Sequence, residues 1–287
     1  MTIQTAFTYI TGAISELYDE REAANIAHII MEYLTGMSKL DRIVHKTKIL
    51  SPDQKQRLKE AIEALQRHEP VQYITGTGWF YGMELLVNKN VLIPRPETEE
   101  LVEWMVQDAA HRHRLHLLDI GTGSGCIPLA LKKSLPDAVV TAVDVSEGAL
   151  EVARSNAARQ RLEISFLQLD ALNPTQVASL PESDMIVSNP PYITQSEQKN
   201  MQELVWGFEP SLALFVPDND ALLFYRHISI MAKNKLVPGG SLYFEINEAL
   251  GKEVVALMES LGFADVVLKQ DMFGKDRMVR GSIKYKA

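Results

Sequence analysis

Leu117-Leu118-Asp119-Ile120-Gly121-Thr122-Gly123-Ser124-Gly125 is the stretch on which the reading of this 287-residue chain turns. An apolar run closing on an aspartate reads as a buried strand, and the residues beyond Gly125 read as a helix. Glycines between the two remove side chains, so that a ligand can lie against backbone near the helix N-terminus. A glycine-rich turn is a weak signal by itself. Its spacing, Gly-x-Gly-x-Gly, differs from the Gly-x-Gly-x-x-Gly of dinucleotide binders. Outward from this stretch, strand candidates alternate with helical segments: Leu115–Asp119, Val139–Asp144, Ile164–Leu169, Met185–Ser188 and Ser241–Ile246. That alternation predicts a parallel sheet covered by helices on both faces. Two further candidates, Asp265–Lys269 and Met278–Ile283, are joined only by Gln270–Arg277. No crossover helix fits there, so the last strand is expected to run antiparallel to its partner.

Ligands of open α/β sheets bind outside the carboxyl ends of the strands. Asp119, the loop Gly121-Thr122-Gly123-Ser124-Gly125, Asp144, Asp170 and Asn189 all fall at that edge. A carboxylate at Asp144 can accept both ribose hydroxyls of a nucleoside, and Asp170 could face an adenine edge. The plain alternative for either is a helix cap or a surface charge. Asn189-Pro190-Pro191-Tyr192 follows the apolar run Met185–Ser188. Neither proline has an N–H to extend a sheet, and both bias the preceding residue to extended geometry. The Asn189 side chain and the carbonyls after it are hydrogen-bond acceptors, and Tyr192 adds a flat apolar face. Such a group suits the gripping of a planar NH2, though a rigid turn after a strand would look the same.

Hydrophobic residues make up 46% and charged residues 23%, enough for a sizeable core of ordinary globular type. The formal charge of −8 argues against a broad nucleic-acid footprint, which needs clustered Lys and Arg. The single cysteine, Cys126, allows no intrachain disulfide and fits a reducing cytosol; it reads as a small packing residue rather than a reactive thiol. No apolar run is long enough to span a membrane, and no secretory signal is seen, so a cytoplasmic protein is expected. His111, His113 and His116 lack Cys or carboxylate partners, and no metal site is expected.

Residues 1–70 read as helices only. Ala23, Ile26, Ala27, Ile30, Met31 and Leu34 recur at helical spacing with Gly36 as a stop, and Ser51-Pro52-Asp53-Gln54 reads as a helix start. Pro70 is expected to end the last of them. Residues 71–97 change character. Leu85-Leu86-Val87 and Val91-Leu92-Ile93 flank Asn88-Lys89-Asn90 and predict a β-hairpin about that turn. Pro94-Arg95-Pro96-Glu97-Thr98-Glu99 then reads as a stiff linker feeding a helix.

Taken together, these pieces resemble the bacterial protein-(glutamine-N5) methyltransferase family that modifies peptide chain release factors, over nearly the whole chain. Pro70–Gly76, Phe80-Tyr81-Gly82, Ile93–Glu99, Asp119–Gly125 and Asn189–Tyr192 carry the resemblance. Phe208-Glu209-Pro210, Phe224-Tyr225-Arg226, Leu236–Gly240 and Gly274–Arg277 extend it. The resemblance implies an α/β fold with the Rossmann-like sheet of class I S-adenosylmethionine-dependent methyltransferases and its C-terminal antiparallel hairpin. A small all-helical substrate-binding domain would occupy 1–70, a hairpin and linker 71–97, and the methyltransferase domain 98–287. It implies S-adenosylmethionine as methyl donor, S-adenosylhomocysteine as product, and the glutamine of a Gly-Gly-Gln tripeptide in class I release factors as acceptor. Asn189, Pro190 and Tyr192 would be catalytic, and Asn189 to Tyr192, with Pro191, would bind substrate. Gly121, Thr122, Gly123, Ser124, Gly125, Asp144, Asp170, Ala171 and Asn189 would bind cofactor. A monomer without membrane or direct nucleic-acid contact is expected.

The chain departs from the family pattern at three places. Ala171 stands where an aromatic residue commonly shields the adenine, Pro217-Asp218-Asn219-Asp220 replaces a glycine-rich turn, and Asn247 replaces a glycine. Rival readings are a glutamine methyltransferase acting on a ribosomal protein, an adenine amino-methyltransferase acting on DNA, and a non-catalytic cofactor-binding partner of the translation machinery. The DNA enzyme would want a basic groove and a base-flipping device. A carboxamide nitrogen is a poor nucleophile and a sulfonium methyl a strong electrophile, so alignment is expected to matter more than a strong base.

Overall fold

The computed structural model describes residues 1–198 and 207–284, and the chain divides into two units, Met1–Thr77 and Gly78–Ala287. In the first unit, α1 (Ile3–Ala13), α2 (Glu20–Thr35), α3 (Lys39–Val44) and α4 (Pro52–Gln66) are followed by a short α5 (Val71–Thr75). Local chemistry sets their ends. Asp19 accepts from the Glu22 amide to open α2, and Gly36, at φ 64°, closes it in the left-handed conformation that costs glycine little. Ser51 and Gln54 form a reciprocal capping box with Pro52 in the first turn of α4. The apolar stripes of these helices meet in one core that includes Ile10, Ile30, Met31, Leu58 and Leu65.

Pro70 does not end the helical unit. It stands as the capping residue of α5, where a missing N–H leaves no helical bond unmade, and the unit continues to Thr77.

The expected hairpin exists, but its turn lies elsewhere. β1 (Thr77–Phe80) and β2 (Met83–Leu86) are joined by Tyr81-Gly82. Both turn residues have positive φ, 49° and 68°, the pattern of a tight two-residue hairpin turn. Tyrosine is an unusual occupant of that conformation. Its N–H donates to Glu99 Oε1 at 2.8 Å and its hydroxyl to Glu103 Oε2 at 2.6 Å, which holds it there. Asn88–Asn90 does turn the chain, with the Val91 N–H reaching the Asn88 carbonyl at 3.1 Å, but residues 91–93 form no strand.

After α6 (Pro96–Asp108) come β3 (His116–Ile120), α7 (Cys126–Ser134), β4 (Val139–Asp144), α8 (Glu147–Gln160), β5 (Ser165–Gln168) and β6 (Ser183–Ser188). A short parallel pair, β7 (Ile193–Thr194) and β8 (Phe215–Val216), precedes β9 (Leu236–Glu245), β10 (Ala264–Gln270) and β11 (Asp276–Ser282). Among the described residues the main sheet has seven strands in the order β10-β11-β9-β6-β3-β4-β5. From β9 to β5 every neighbour is parallel, and β11 runs antiparallel to both of its partners, as its short connection requires. The strand order reverses between β6 and β3, and such a switch point opens a crevice at the strands' carboxyl ends.

Alternate side chains of each central strand serve two separate cores. Leu117, Met185, Val187 and Tyr243 join one cluster; Leu118, Ile186, Leu242 and Phe244 join the other. One buried polar side chain ties the hairpin to this body. Asn156 on α8 accepts from the Leu86 N–H at 2.6 Å and donates to the carbonyls of Leu86 and Ser124 at 2.9 and 3.0 Å. Among the described residues no helix is long and apolar enough to cross a membrane.

Candidate active site

The crevice at the switch point is a cleft of about 1090 Å³ including its open mouth, and it lies within the second unit. Its floor is the loop between β3 and α7. Gly121, Gly123 and Gly125 have φ of 77°, 55° and 80°, conformations that L side chains rarely adopt. A Cβ on Gly121 or Gly123 would meet nothing within 4 Å, so both positions leave open space at the cleft. A Cβ on Gly125 would instead come within 3.1 Å of the Ala153 Cβ on α8. The first two glycines thus make room for a ligand, and the third makes room for a helix.

Asp144 ends β4 and lines the cleft. Its Oδ2 accepts from the Gly123 N–H and its Oδ1 from the Ser146 N–H, each at 2.9 Å. Burial pushes its pKa up, and the amides of Ser146 and Gly123 partly offset that. Both oxygens retain further acceptor capacity. Asp170 and Ala171 line the same cleft; Asp170 Oδ1 accepts from the Leu172 N–H at 2.8 Å, which fixes the turn after β5. Phe224 also lines the cleft, so an aromatic face is present although residue 171 has none.

The opposite wall is the turn after β6. Ser188 Oγ donates to the Ile120 carbonyl at 2.7 Å, tying the ends of β6 and β3 together. Asn189, Pro190 and Pro191 line the cleft. Asn189 Nδ2 lies 3.4 Å from Thr98 Oγ1, and its Oδ1 accepts no hydrogen bond from a described residue. The Thr98 hydroxyl donates to Glu245 Oε2 at 2.5 Å. Glu245 is 2% exposed; burial raises its pKa to about 6, while Thr98, Arg277 and a hydrogen bond from the Asn189 side chain pull it down. Tyr192 is not among the lining residues. It packs against the second core cluster, where burial raises its hydroxyl pKa well above the usual tyrosine value.

Buried charge surrounds the cleft. Asp119 is 1% exposed, neither of its oxygens has a hydrogen-bond partner among the described residues, and burial lifts its pKa to about 7 despite the nearby Thr122 hydroxyl. The Cys126 thiol, at the start of α7, is pushed up to about 12 by burial, as suits a packing residue. Arg95, which lines the cleft, pairs with the buried Glu209 at 2.5 Å.

Each expected cofactor residue from the loop, together with Asp144, Asp170, Ala171 and Asn189, lines the one cleft, except Gly125, which underlies it. Sequence reasoning did not find Thr98, Glu245, Arg95, Glu209 or Phe224; of these, Thr98, Arg95 and Phe224 line the cleft, and Glu245 and Glu209 are the buried partners of Thr98 and Arg95. The signal for the first four was present as the stiff Pro94–Glu99 segment, the Phe208-Glu209-Pro210 stretch and the acidic end of β9. Asn247, a departure from the family pattern, has a local role. Its Nδ2 lies 3.4 Å from both the Tyr192 carbonyl and Glu197 Oε1, and its Oδ1 accepts from the Ala249 N–H.

Residues 97–208 match the family described as the methyltransferase small domain, and residues 6–76 match the PrmC N-terminal domain. A release factor glutamine methyltransferase of Flavobacterium psychrophilum is 42% identical over 98% of this chain and 99% of its own length. One from Bacteroides thetaiotaomicron is 42% identical over 94% of this chain and 96% of its own. A solved methyltransferase of Pyrococcus furiosus, 17% identical, covers 82% of this chain and 100% of its own with a TM-score of 0.52, a likeness of fold. Near-full-length identity at this level, on a chain whose cleft gathers the glycine loop and the Asn189 turn, makes this protein a member of the release factor glutamine methyltransferase family.

Proposed function

We propose that this chain transfers a methyl group from S-adenosylmethionine to the side-chain amide nitrogen of the glutamine in the Gly-Gly-Gln motif of class I peptide chain release factors. The observation that carries this is the Asn189 side chain, whose oxygen end is unengaged on the wall of a cleft floored by the glycine loop. The residues present fit the cofactor. Open space at Gly121 and Gly123 would admit it against backbone, Asp144 would accept the ribose hydroxyls, and Asp170 with Phe224 would flank the adenine. When bound, S-adenosylmethionine supplies an electrophilic methyl and leaves as S-adenosylhomocysteine.

The chain's own contribution is to hold the acceptor. Asn189 Oδ1 and the Pro190 carbonyl would accept the two hydrogens of the glutamine NH2, turning its nitrogen lone pair into the cleft. Alignment of this kind can lower a barrier by roughly 7–11 kcal/mol. The same two acceptors would stabilise the positive charge that develops on nitrogen as the new bond forms, before the excess proton passes to water. Tyr192, set behind the turn, would brace it from the core side. The helical unit, residues 1–77, would hold the body of the release factor. Radiolabelled methyl transfer to purified release factor, to ribosomal protein and to DNA tests the reading. Labelling of release factor at the Gly-Gly-Gln glutamine alone is expected, and labelling only of either rival acceptor would overturn it.

A further inference from the structure

We infer that Thr98 and Glu245 are positioning residues that select which end of the Asn189 carboxamide faces the acceptor. The inference rests on the reading of Asn189 as a hydrogen-bond acceptor for the glutamine amide. A carboxamide is nearly symmetric in shape, and its two ends do opposite things: Oδ1 accepts and Nδ2 donates. Flipped by half a turn, Asn189 would present donors to an NH2 group that is itself a donor, and the grip would fail. Shape cannot choose between the two orientations, so a hydrogen-bond partner must.

The partner is at hand. Thr98 Oγ1 lies 2.5 Å from Glu245 Oε2 in a buried setting. A hydroxyl has one proton, and beside a carboxylate, which only accepts, that proton is committed. Thr98 can therefore offer only a lone pair to its other neighbour. That neighbour is Asn189, 3.4 Å away, and the lone pair is satisfied by Nδ2 and not by Oδ1. With Nδ2 drawn toward Thr98, Oδ1 is left for the cleft. Glu245 acts on the amide through the hydroxyl and also directly, since a carboxylate can take only the Nδ2 end, and both contacts demand the same orientation.

Glu245 closes β9 and Thr98 lies in the first turn of α6, so two other elements set the orientation of the turn that carries Asn189. The Thr98 hydroxyl, Arg277 on β11 and the Asn189 amide itself all favour the charged form of Glu245 against its burial and against Glu97. The rigid Pro94–Glu99 segment thereby gains a purpose beyond linkage: it fixes where the Thr98 hydroxyl stands.

The test uses full-length protein with purified release factor. Thr98→Val keeps the shape and removes the lone pair, and Thr98→Ser restores it. Glu245→Gln keeps the shape and lets residue 245 donate, which frees the hydroxyl proton to turn toward Asn189. Single-turnover methyl transfer at saturating cofactor should fall about 10²-fold in Thr98→Val, the scale of a misplaced reacting group. Glu245→Gln should also fall, by at least ~10-fold, and Thr98→Ser should recover to within about threefold of wild type. Cofactor affinity by calorimetry and KM for release factor should each stay within about threefold. Wild-type rates in a folded Thr98→Val would overturn the inference alone. So would losses of rate, affinity and melting temperature in parallel with no rescue by Thr98→Ser, since that pattern marks a merely structural contact. A wild-type chain inert toward release factor would instead overturn the functional reading, and this inference with it.

Discussion

Two turns face each other across the cleft, one built of glycines after β3 and one of prolines after β6. The strands are neighbours in the sheet and end at the same edge. The glycine turn adopts three left-handed conformations and, at Gly121 and Gly123, leaves empty space where side chains would be. The proline turn has two residues that cannot donate and whose φ is fixed, so it offers acceptors on a stiff frame. One turn leaves room and the other, on the function proposed above, makes a grip. Beneath each lies a buried carboxylate, and these differ as well: Asp119 has no hydrogen-bond partner among the described residues, whereas Glu245 has Thr98. The division of labour predicts that lesions in the proline turn change rate, and lesions in or under the glycine turn change cofactor affinity and stability.

Asn189→Ala should break the grip and leave the room intact. The methyl-transfer rate is expected to fall ~10²–10³-fold, the scale of removing one preorganised transition-state contact. Cofactor affinity should change far less. Single-turnover kinetics beside calorimetry separates the two, and a matched loss in both would erase the distinction between the turns.

Asp144→Ala should do the reverse. Each hydrogen bond to a charged group contributes roughly 1.5–3 kcal/mol, so loss of even one weakens cofactor binding about 10- to 10²-fold. The Gly123 N–H loses its partner at the same time. Titration of cofactor into the folded variant measures this, and unchanged affinity would remove Asp144 from the site.

Gly125→Ala probes the third glycine, whose job is packing. Its φ of 80° costs an alanine about 1–2 kcal/mol, and the 3.1 Å approach to Ala153 adds to that. Chemical denaturation should show the loss.

The smallest effect expected is electrostatic. Asp119 is raised from the usual aspartate value to about 7, so the folded chain keeps a proton that the unfolded chain has released. Its stabilising contribution is therefore fullest at low pH and declines as pH rises through this window. Asp119→Asn cannot ionise. Its Tm should exceed that of the parent protein at pH 8 and match it near pH 4. Melting curves for both proteins across that range check it; parallel profiles would show that this carboxyl does not govern stability.

Much of this frame could be read from the residues alone, because the signals were strong and local. Short apolar runs separated by helical stretches announced the parallel sheet, and the brevity of Gln270–Arg277 announced the antiparallel strand. The hairpin turn was misplaced for a definite reason. Asn88–Asn90 has the composition of a turn, whereas Tyr81 carries a positive φ that its side chain would ordinarily resist. What holds it there is Glu99 and Glu103 on α6, and no local pattern reports bonds made 18 and 22 residues away. The same blindness hid Thr98 and Glu245, which are 147 residues apart in sequence and meet only through the fold. Sequence showed which groups could do chemistry, and the structure was needed to show which groups aim them.

Asn156 has a consequence for association as well as for packing. An unpaired strand edge is a template on which another chain can add. Along β2, Asn156 takes both backbone groups of Leu86, and Gln160 donates to the Glu84 carbonyl at 2.9 Å. Four residues of helix rise about 6 Å and two residues of strand about 6.8 Å, so side chains at 156 and 160 fall in step with backbone at 86 and 84. One face of α8 thus stands in for a neighbouring strand. It fills the rungs that an incoming chain would need, and the β2 edge of the ribbon is closed to a third strand.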